Sequence, residues 1–347
     1  MDTLVISSHE DAIAAVPHVL GFQPKESLVL VPFNQVLPWV RVDIPTTAAD
    51  RVQLWSDSLC DALSTHARRA GKSGRMAVLC FTANRENAEV TSLDIGRRLE
   101  EIGIGTPVRL WTNDAVWTEF NTAVSGRCSQ DAADRMAATS VYSGRVQPAA
   151  SRESMAASMV GDREPVAALL QDAWAARSTP PTEREWALSR VGEFLTDGAR
   201  LSDADAARLL VAVQTTSTRD ALWGQMDRDG SRACQALWVD MTRRAPDQVR
   251  APAASLAAFS SWLAGDGAKA WCALDEVPDD KPYSMAAIVA GALEAALPPS
   301  EWKDHQLALA ALTSELDESF VPRPVPTSQR HAATPGRPSP GPPTPRR

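Results

Sequence analysis

The chain has 347 residues, 44% apolar and 22% charged, with a formal net charge of −8. That is a globular composition at a length that suggests two domains, and the acidic balance argues against non-specific binding of the folded body to nucleic acid or anionic membranes. The five cysteines, Cys60, Cys80, Cys128, Cys234 and Cys272, are odd in number and none lies within four positions of another, which excludes a zinc ribbon and argues against a disulfide framework.

The opening MDTLVISSHED lacks the basic and long apolar stretches of a secretory signal. Leu4 to Ile6 reads as a short strand. Ser8 can cap the helix that follows, with Ile13, Val16 and Leu20 on one face, Pro17 forcing a kink or a division, and Gly21 suited to its end. Ser27 to Val31 is almost wholly apolar, as in a strand buried on both faces. Asn34 and Gln35 suit a tight turn. Val36 to Ile44 then alternates, with Val40, Val42 and Ile44 on one side and Trp39, Arg41 and Asp43 on the other, so the two strands are expected to form an antiparallel hairpin.

Residues 48 to 70 carry helical periodicity, with Val52, Trp55, Leu59, Leu63 and His66 on one stripe and Gly71 as the stop. Met76 to Thr82 is a second buried strand, Asn84 caps a helix running to about Ile102, and Gly103 and Gly105 lead into a strand over Thr106 to Trp111. Strand and helix alternate here, which predicts a mixed sheet with packed helices. Pattern is weakest from Asn113 to Ala150. From Ser151 to Ser319 the pattern is helical throughout, with segments near 152–160, 164–177, 183–197, 203–216, 219–227, 231–243, 253–264, 267–276, 283–296 and 301–317. Thr182 with Glu185, and Ser202 with Asp205, have capping-box spacing. Gly198, Gly230 and Gly265 read as stops. Trp174, Trp186, Trp223, Trp238, Trp262, Trp271 and Trp302 are expected to fill gaps between helices. The longest apolar run, Met285 to Leu297, is broken by Glu294 and is too short to span a bilayer, so a cytoplasmic protein with no membrane contact is expected. Residues 321 to 347 hold nine prolines, five arginines and no acid, the composition of a disordered tail.

The layout expected is therefore an α/β domain over 1–125, a weakly patterned connection over 126–150, an all-α, helical-hairpin-type domain over 151–320, and the tail over 321–347. Three stretches add a family resemblance: AAVPHVLGFQPKESLVLV (Ala14 to Val31) with WVRVDIP (Trp39 to Pro45); SRES (Ser151 to Ser154); and RDALW (Arg219 to Trp223), continued by ALWVDMTRRAP, WLAGDGAKAWCAL and YSMAAIVAGALEAALPPS as far as Ser300. Together they resemble the actinobacterial domain-of-unknown-function family 4192, which implies no activity. Members of that family often carry a cysteine-rich stretch ending in Cys-Cys-Pro after the third main strand; Val116 to Met136 here holds only Cys128. The segment around Gly265, Ala268, Ala273 and Pro278 also resembles a tetratricopeptide-like helix pair, a single unit where an array needs about three.

The residues with chemical potential each have an ordinary role beside the functional one. Gly71-Lys72-Ser73 resembles a phosphate loop, but His66 stands where the first glycine is required, and helix precedes strand instead of following it. Asp227, Asp229 and Gly230 start like a calcium loop whose twelfth position, Ala236, cannot ligate. His66 lies on an apolar stripe, as a hydrogen-bonded core histidine or as a proton-transfer group. His18 points away from the apolar face of its helix and is expected to be solvated. Arg41 and Asp43 share a strand face, as an ion pair or as an anion site. Thr82, Asn84 and Asp114 occupy strand ends, where open α/β sheets bind ligands and where turn and cap formers also sit. Neither a metal site nor a cofactor motif is present. In the tail, Pro335 with Pro338 and Pro340 with Pro343 have the P-x-x-P spacing read by aromatic grooves. The leading expectation is a non-catalytic interaction or scaffold protein that meets a protein partner through a concave, tryptophan-bearing surface of its helical half. The alternative is a small-molecule enzyme or sensor with a pocket at the strand ends, using Arg41, Asp43, Thr82, Asn84, Asp114 or His66.

Overall fold

Ser27–Pro32 (β1) lies at the centre of the first half because its side chains are apolar on both faces: Leu28 and Leu30 enter one core, Val29 and Val31 the other. In the computed structural model, residues 6–34, 37–55, 59–71, 74–142, 147–278 and 282–302 are described. Met1–Lys303 forms one compact unit, and the description that follows is of that unit. Ile6 is not in a strand, and Leu4 and Val5 lie outside the described residues, as do Gln35, Lys72, Ser73, nearly all of the helix expected at 301–317, and the tail with its P-x-x-P pairs.

β1 pairs antiparallel with Val40–Asp43 (β2) on one side and with Arg75–Phe81 (β3) on the other. β3 runs parallel to Gly105–Thr112 (β4), after the crossover helix Arg85–Glu101 (α4). Two short antiparallel strands, Val116–Glu119 (β5) and Ser125–Arg127 (β6), complete the mixed order β2-β1-β3-β4-β5-β6. One face packs on α4 and on Cys60–Ala70 (α3) through Leu63, Ile95 and Leu99. The other packs on His9–Leu20 (α1) through Ile13 and Val16. Ser8 caps α1 as its spacing predicts, Gly21 ends it at φ 79°, and Pro17 lies inside a helix that remains continuous. Gln130–Tyr142 (α5) lies beside α1, and Arg135 pairs with the buried Asp11 at 2.9 Å. Donation by Arg135, joined by Ser7 and Ser8, holds the Asp11 carboxyl below its usual range despite burial.

Three expectations for this half need correction. The helix read over 48–70 is two, Ala48–Leu54 (α2) and α3, and Val52 is 53% exposed, so the apolar stripe starts at Trp55. The stretch from 113 to 150 contains β5, β6 and α5. These strands are too short to show a period, and β6 is Ser-Gly-Arg. The expected solvation of His18 does not hold, because it is half-buried. Trp117 pairs directly across from Gly126 with its ring over the glycine, against His9 at 4.9 Å. A Cβ at Gly126 would come within 2.6–2.8 Å of the indole. Gly126→Ala should therefore destabilise the protein by about 1–3 kcal/mol in urea unfolding, the range for overpacking; an unchanged midpoint would show that the indole moves freely.

The second half is helical. It comprises Arg152–Ala157 (α6), Glu164–Ala167 (α7), Leu170–Ala175 (α8), Pro180–Asp197 (α9), Asp203–Ala212 (α10), Thr216–Gly224 (α11), Ser231–Arg244 (α12), Asp247–Leu263 (α13), Gly267–Leu274 (α14) and Ser284–Glu294 (α15). α13 runs through the middle, buried on every side from Pro252 to Leu263, because its Ala/Ser-rich surface lets α12, α14 and α15 pack against it. Ser202 caps α10 as its spacing predicts, whereas Thr182 lies inside α9, which begins at Pro180. Gly198 and Gly265 adopt left-handed conformations after helices, and Gly230 instead precedes α12. Trp238, Trp262 and Trp302 are buried, and Trp302 meets Phe259 edge-on at 4.7 Å. Trp174, at 42% exposure, does not fill a gap. Trp238, Trp262 and Trp302 thus build the core of the helical half.

The two halves meet through the chain near Phe22. Gln23 N–H donates to the Ala149 carbonyl (2.9 Å) and Ala149 N–H to that of Gly21 (2.8 Å), and the Phe22 ring lies in the helical core.

Candidate functional site

The carboxyl ends of β2, β3 and β4 reach one edge of the sheet, where Ser27 lies opposite both Asp43 and Phe81, and Phe81 opposite Thr112. Arg41, Asp43, Thr82, Asn84 and Asp114 therefore all belong to this edge region. His66 does not: it is on α3.

Arg41 Nη2 lies 2.7 Å from Asp43 Oδ1, and its Nε and Nη2 also donate to Ser27 Oγ at 3.0 and 2.8 Å. The guanidinium sits 5.7 Å from the centre of the Phe22 ring. With Asp43 86% exposed, the ion pair contributes little to stability. Thr82 is saturated. Its hydroxyl donates to Glu26 Oε2 (2.7 Å) and accepts from Asn84 N–H (3.1 Å); its N–H donates to the Thr112 carbonyl (3.1 Å); and its own carbonyl accepts from Trp111 Nε1 (2.9 Å). Asn84 Oδ1 accepts the Asn87 N–H at 3.0 Å, capping α4. Asp114, at φ 72°, donates its N–H to Thr112 Oγ1 (3.1 Å) in the β4–β5 turn, where Asn113 Oδ1 accepts from Ala115 and Val116. His66 is buried, with Nε2 3.4 Å from the Ala295 carbonyl just past α15.

Residues 10–300, spanning sheet and helices alike, match the family described as domain of unknown function, DUF4192. The chain belongs to that family. No curated protein and no solved structure matches it. The thiols of this DUF4192 chain are all free. Burial pushes Cys80 up to about 12, and burial also raises Cys128, with Asp114 and Glu10 adding to the effect, so both thiols are protonated near neutral pH.

No spacing or motif marks Glu26 or Glu119 in advance. Glu26 holds a left-handed backbone conformation (φ 42°) in the turn before β1, and its carboxylate fastens Thr82. Glu119 is buried at the end of β5. Burial would raise its pKa, but hydrogen bonds from the Thr122 hydroxyl and from the N–H groups of Arg109, Asn121 and Thr122 outweigh that and hold it below the usual range. In the helical half, the buried Glu183 is gripped by Arg208 through Nε (3.1 Å) and Nη2 (3.2 Å). Buried Arg219 reaches Tyr283 Oη (2.7 Å) and Asp220. Glu119, Glu183 and Arg219 are buried anchors and Glu26 an exposed one, and most of their partners lie far away in sequence or in turns without a motif.

Beside Asp43 lies an open groove of about 320 Å³, lined by Ile44, Pro45, Thr46, Asp50 and Gln53 among others. Asp50 is the reciprocal cap of α2; hydrogen bonds from Thr47 and Thr46 hold its pKa down.

Proposed function

We propose that the chain is a non-catalytic interaction protein that works in the cytoplasm and recognises a partner protein through its helical half. The observation that carries this reading is the use the fold makes of the residues with chemical potential. Thr82, Asn84 and Asp114 hold turns and a helix cap, Arg41 is shared between Ser27 and Asp43, and His66 is buried against a carbonyl. Support for the helical half comes from α15. A helix packed on one side carries polar residues on the other, yet between the exposed Ser284 and Glu294 the outer face of α15 shows Ala287, Ile288 and Gly291, with Ile288 56% exposed and open space beside Gly291. Small residues four apart admit the close approach of a partner helix. Among the described residues no helix is long and apolar enough to cross a membrane.

One observation favours the alternative of a ligand sensor: the groove beside Asp43, at the low end of the roughly 300–1,000 Å³ of small-molecule sites. One experiment separates the two. The full chain and its Ile288→Glu variant serve as baits against a lysate of the source cell, and both are screened by thermal shift against nucleotides and phosphorylated metabolites. The expected result is a protein captured by the native chain and lost by the variant, with no metabolite raising the melting temperature. Equal capture by both baits, or a metabolite shift abolished by Asp43→Asn, would overturn the interaction reading.

A further inference from the structure

Helix α4 shows solvent one continuous stripe, Val90, Leu93, Arg97 and Glu100, spaced three and four apart. Val90 and Leu93 are each about half exposed. Alongside runs an open groove of about 240 Å³, floored by Gly96 and Thr106 and walled by Arg109 and Asn121. Gly96 stands in the interior of a 17-residue helix, where glycine is disfavoured. A Cβ there would come 3.1 Å from Thr106 Oγ1 and 3.5 Å from Arg109 Cδ, so the absent side chain keeps the groove open. Arg109 Nε donates to Asn121 Oδ1 at 2.8 Å, which lays the guanidinium along the wall. Among the described residues its Nη groups have no partner, and Arg97 has none. Glu100 is the acid of the lining, and its Oε1 accepts from Thr106 Oγ1 at 3.3 Å. Among the lining residues two guanidinium groups face one engaged carboxylate, so unengaged cationic donors remain at the groove surface.

We propose that this groove docks an acidic, apolar-anchored segment of a partner protein: a leucine-sized side chain set against Leu93 and Val90, with carboxylates meeting Arg97 and Arg109. The inference rests on the interaction reading above and adds a second surface and the chemistry of what binds there. Complementary charge argues for the acidic partner, since unengaged guanidinium donors suit carboxylates. Size argues for a side chain over an enclosed metabolite, because the groove is smaller than the roughly 300 Å³ at which small-molecule sites begin.

The test uses the full chain and two fluorescein-labelled, helix-forming peptides, one built of Glu and Leu and the other with Lys in place of every Glu. Fluorescence anisotropy should show the acidic peptide binding at least about tenfold more tightly than the basic one, with the preference lost in Arg97→Glu and in Leu93→Asp and reduced at high salt. Both substitutions are on the exposed face of α4, so circular dichroism should stay unchanged. Equal affinity for the two peptides, no binding of either, or full binding by both variants would overturn the proposal. So would a concentration-dependent dimer that Arg97→Glu dissolves, because the groove would then belong to a second copy of the chain. If the groove fails while Ile288→Glu still loses its captured protein, the interaction reading stands without it.

Discussion

Phe22→Ala should destabilise the protein by about 3–5 kcal/mol, the range for removing a fully buried phenylalanine, although Phe22 stands between α1 and β1 in a connection with no catalytic residue. The ring is 1% exposed and lies in the helical core, the Arg41 guanidinium lies over it, and Met155 packs so close to Gly21 that a Cβ there would come 2.9 Å from its Cε. Truncation therefore opens a cavity where elements of the two halves meet. Urea and thermal melts followed by far-UV circular dichroism should shift as one transition, with a fall in melting temperature of roughly 5–10 °C for a unit of this size. Phe22→Leu, which refills much of the volume, should recover most of the loss. Two separated transitions, or a shift below about 1 kcal/mol, would mean that the site collapses freely and that Phe22 does not couple the halves.

That coupling could not be read from the sequence. The periodicity places Ile13, Val16 and Leu20 on the core face of α1 and reads β1 as buried on both sides, and both hold because each is a local statement about spacing. Phe22 lies outside any period, so its destination is set by tertiary packing alone. The same division runs through the rest of the fold. α4, with an asparagine cap and apolar residues in phase, is found close to where spacing puts it. β6 has three residues and no apolar side chain, so nothing in its pattern marks a strand; it forms because β5 offers a free edge and Gly126 leaves room for Trp117. Pro252 makes α13 read as starting at 253. The helix starts at Asp247 instead, because a proline this near the first turn forfeits only the bond to the Gln248 carbonyl.

The candidate site follows the same logic. Residue types at strand ends are visible in sequence, and Thr82, Asn84 and Asp114 do lie at strand ends. Their duties are not visible, because those depend on partners such as Glu26, 56 positions from Thr82. Arg41 and Asp43 pair as their alternation suggests, but Ser27, which takes two of the arginine's donors, enters only through the register of β1 against β2.

Glu119 gives the second large effect. Its Oε1 accepts from Arg109 N–H (3.2 Å) and Asn121 N–H (3.0 Å), and its Oε2 from the N–H and hydroxyl of Thr122, so one carboxylate closes the turn after β5 and ties it to β4. Glutamine has the same shape but only one acceptor oxygen; its amide would face two donors. Glu119→Gln should therefore lower stability by about 2–3 kcal/mol near pH 7, the range for lost hydrogen bonds to a charged group. The pH dependence follows from the lowered folded-state pKa. The unfolded chain takes up a proton near pH 4.3 while the folded carboxylate still resists it, so the contribution is complete above that pH and is lost as pH falls through the folded value. Urea midpoints for native and variant chains should differ by a constant amount from pH 7 down to about 5.5 and converge below about 4. A gap that widened in acid would mean that the carboxyl binds its proton more readily in the folded state, and so that the hydrogen bonds from Thr122, Arg109 and Asn121 do not outweigh its burial.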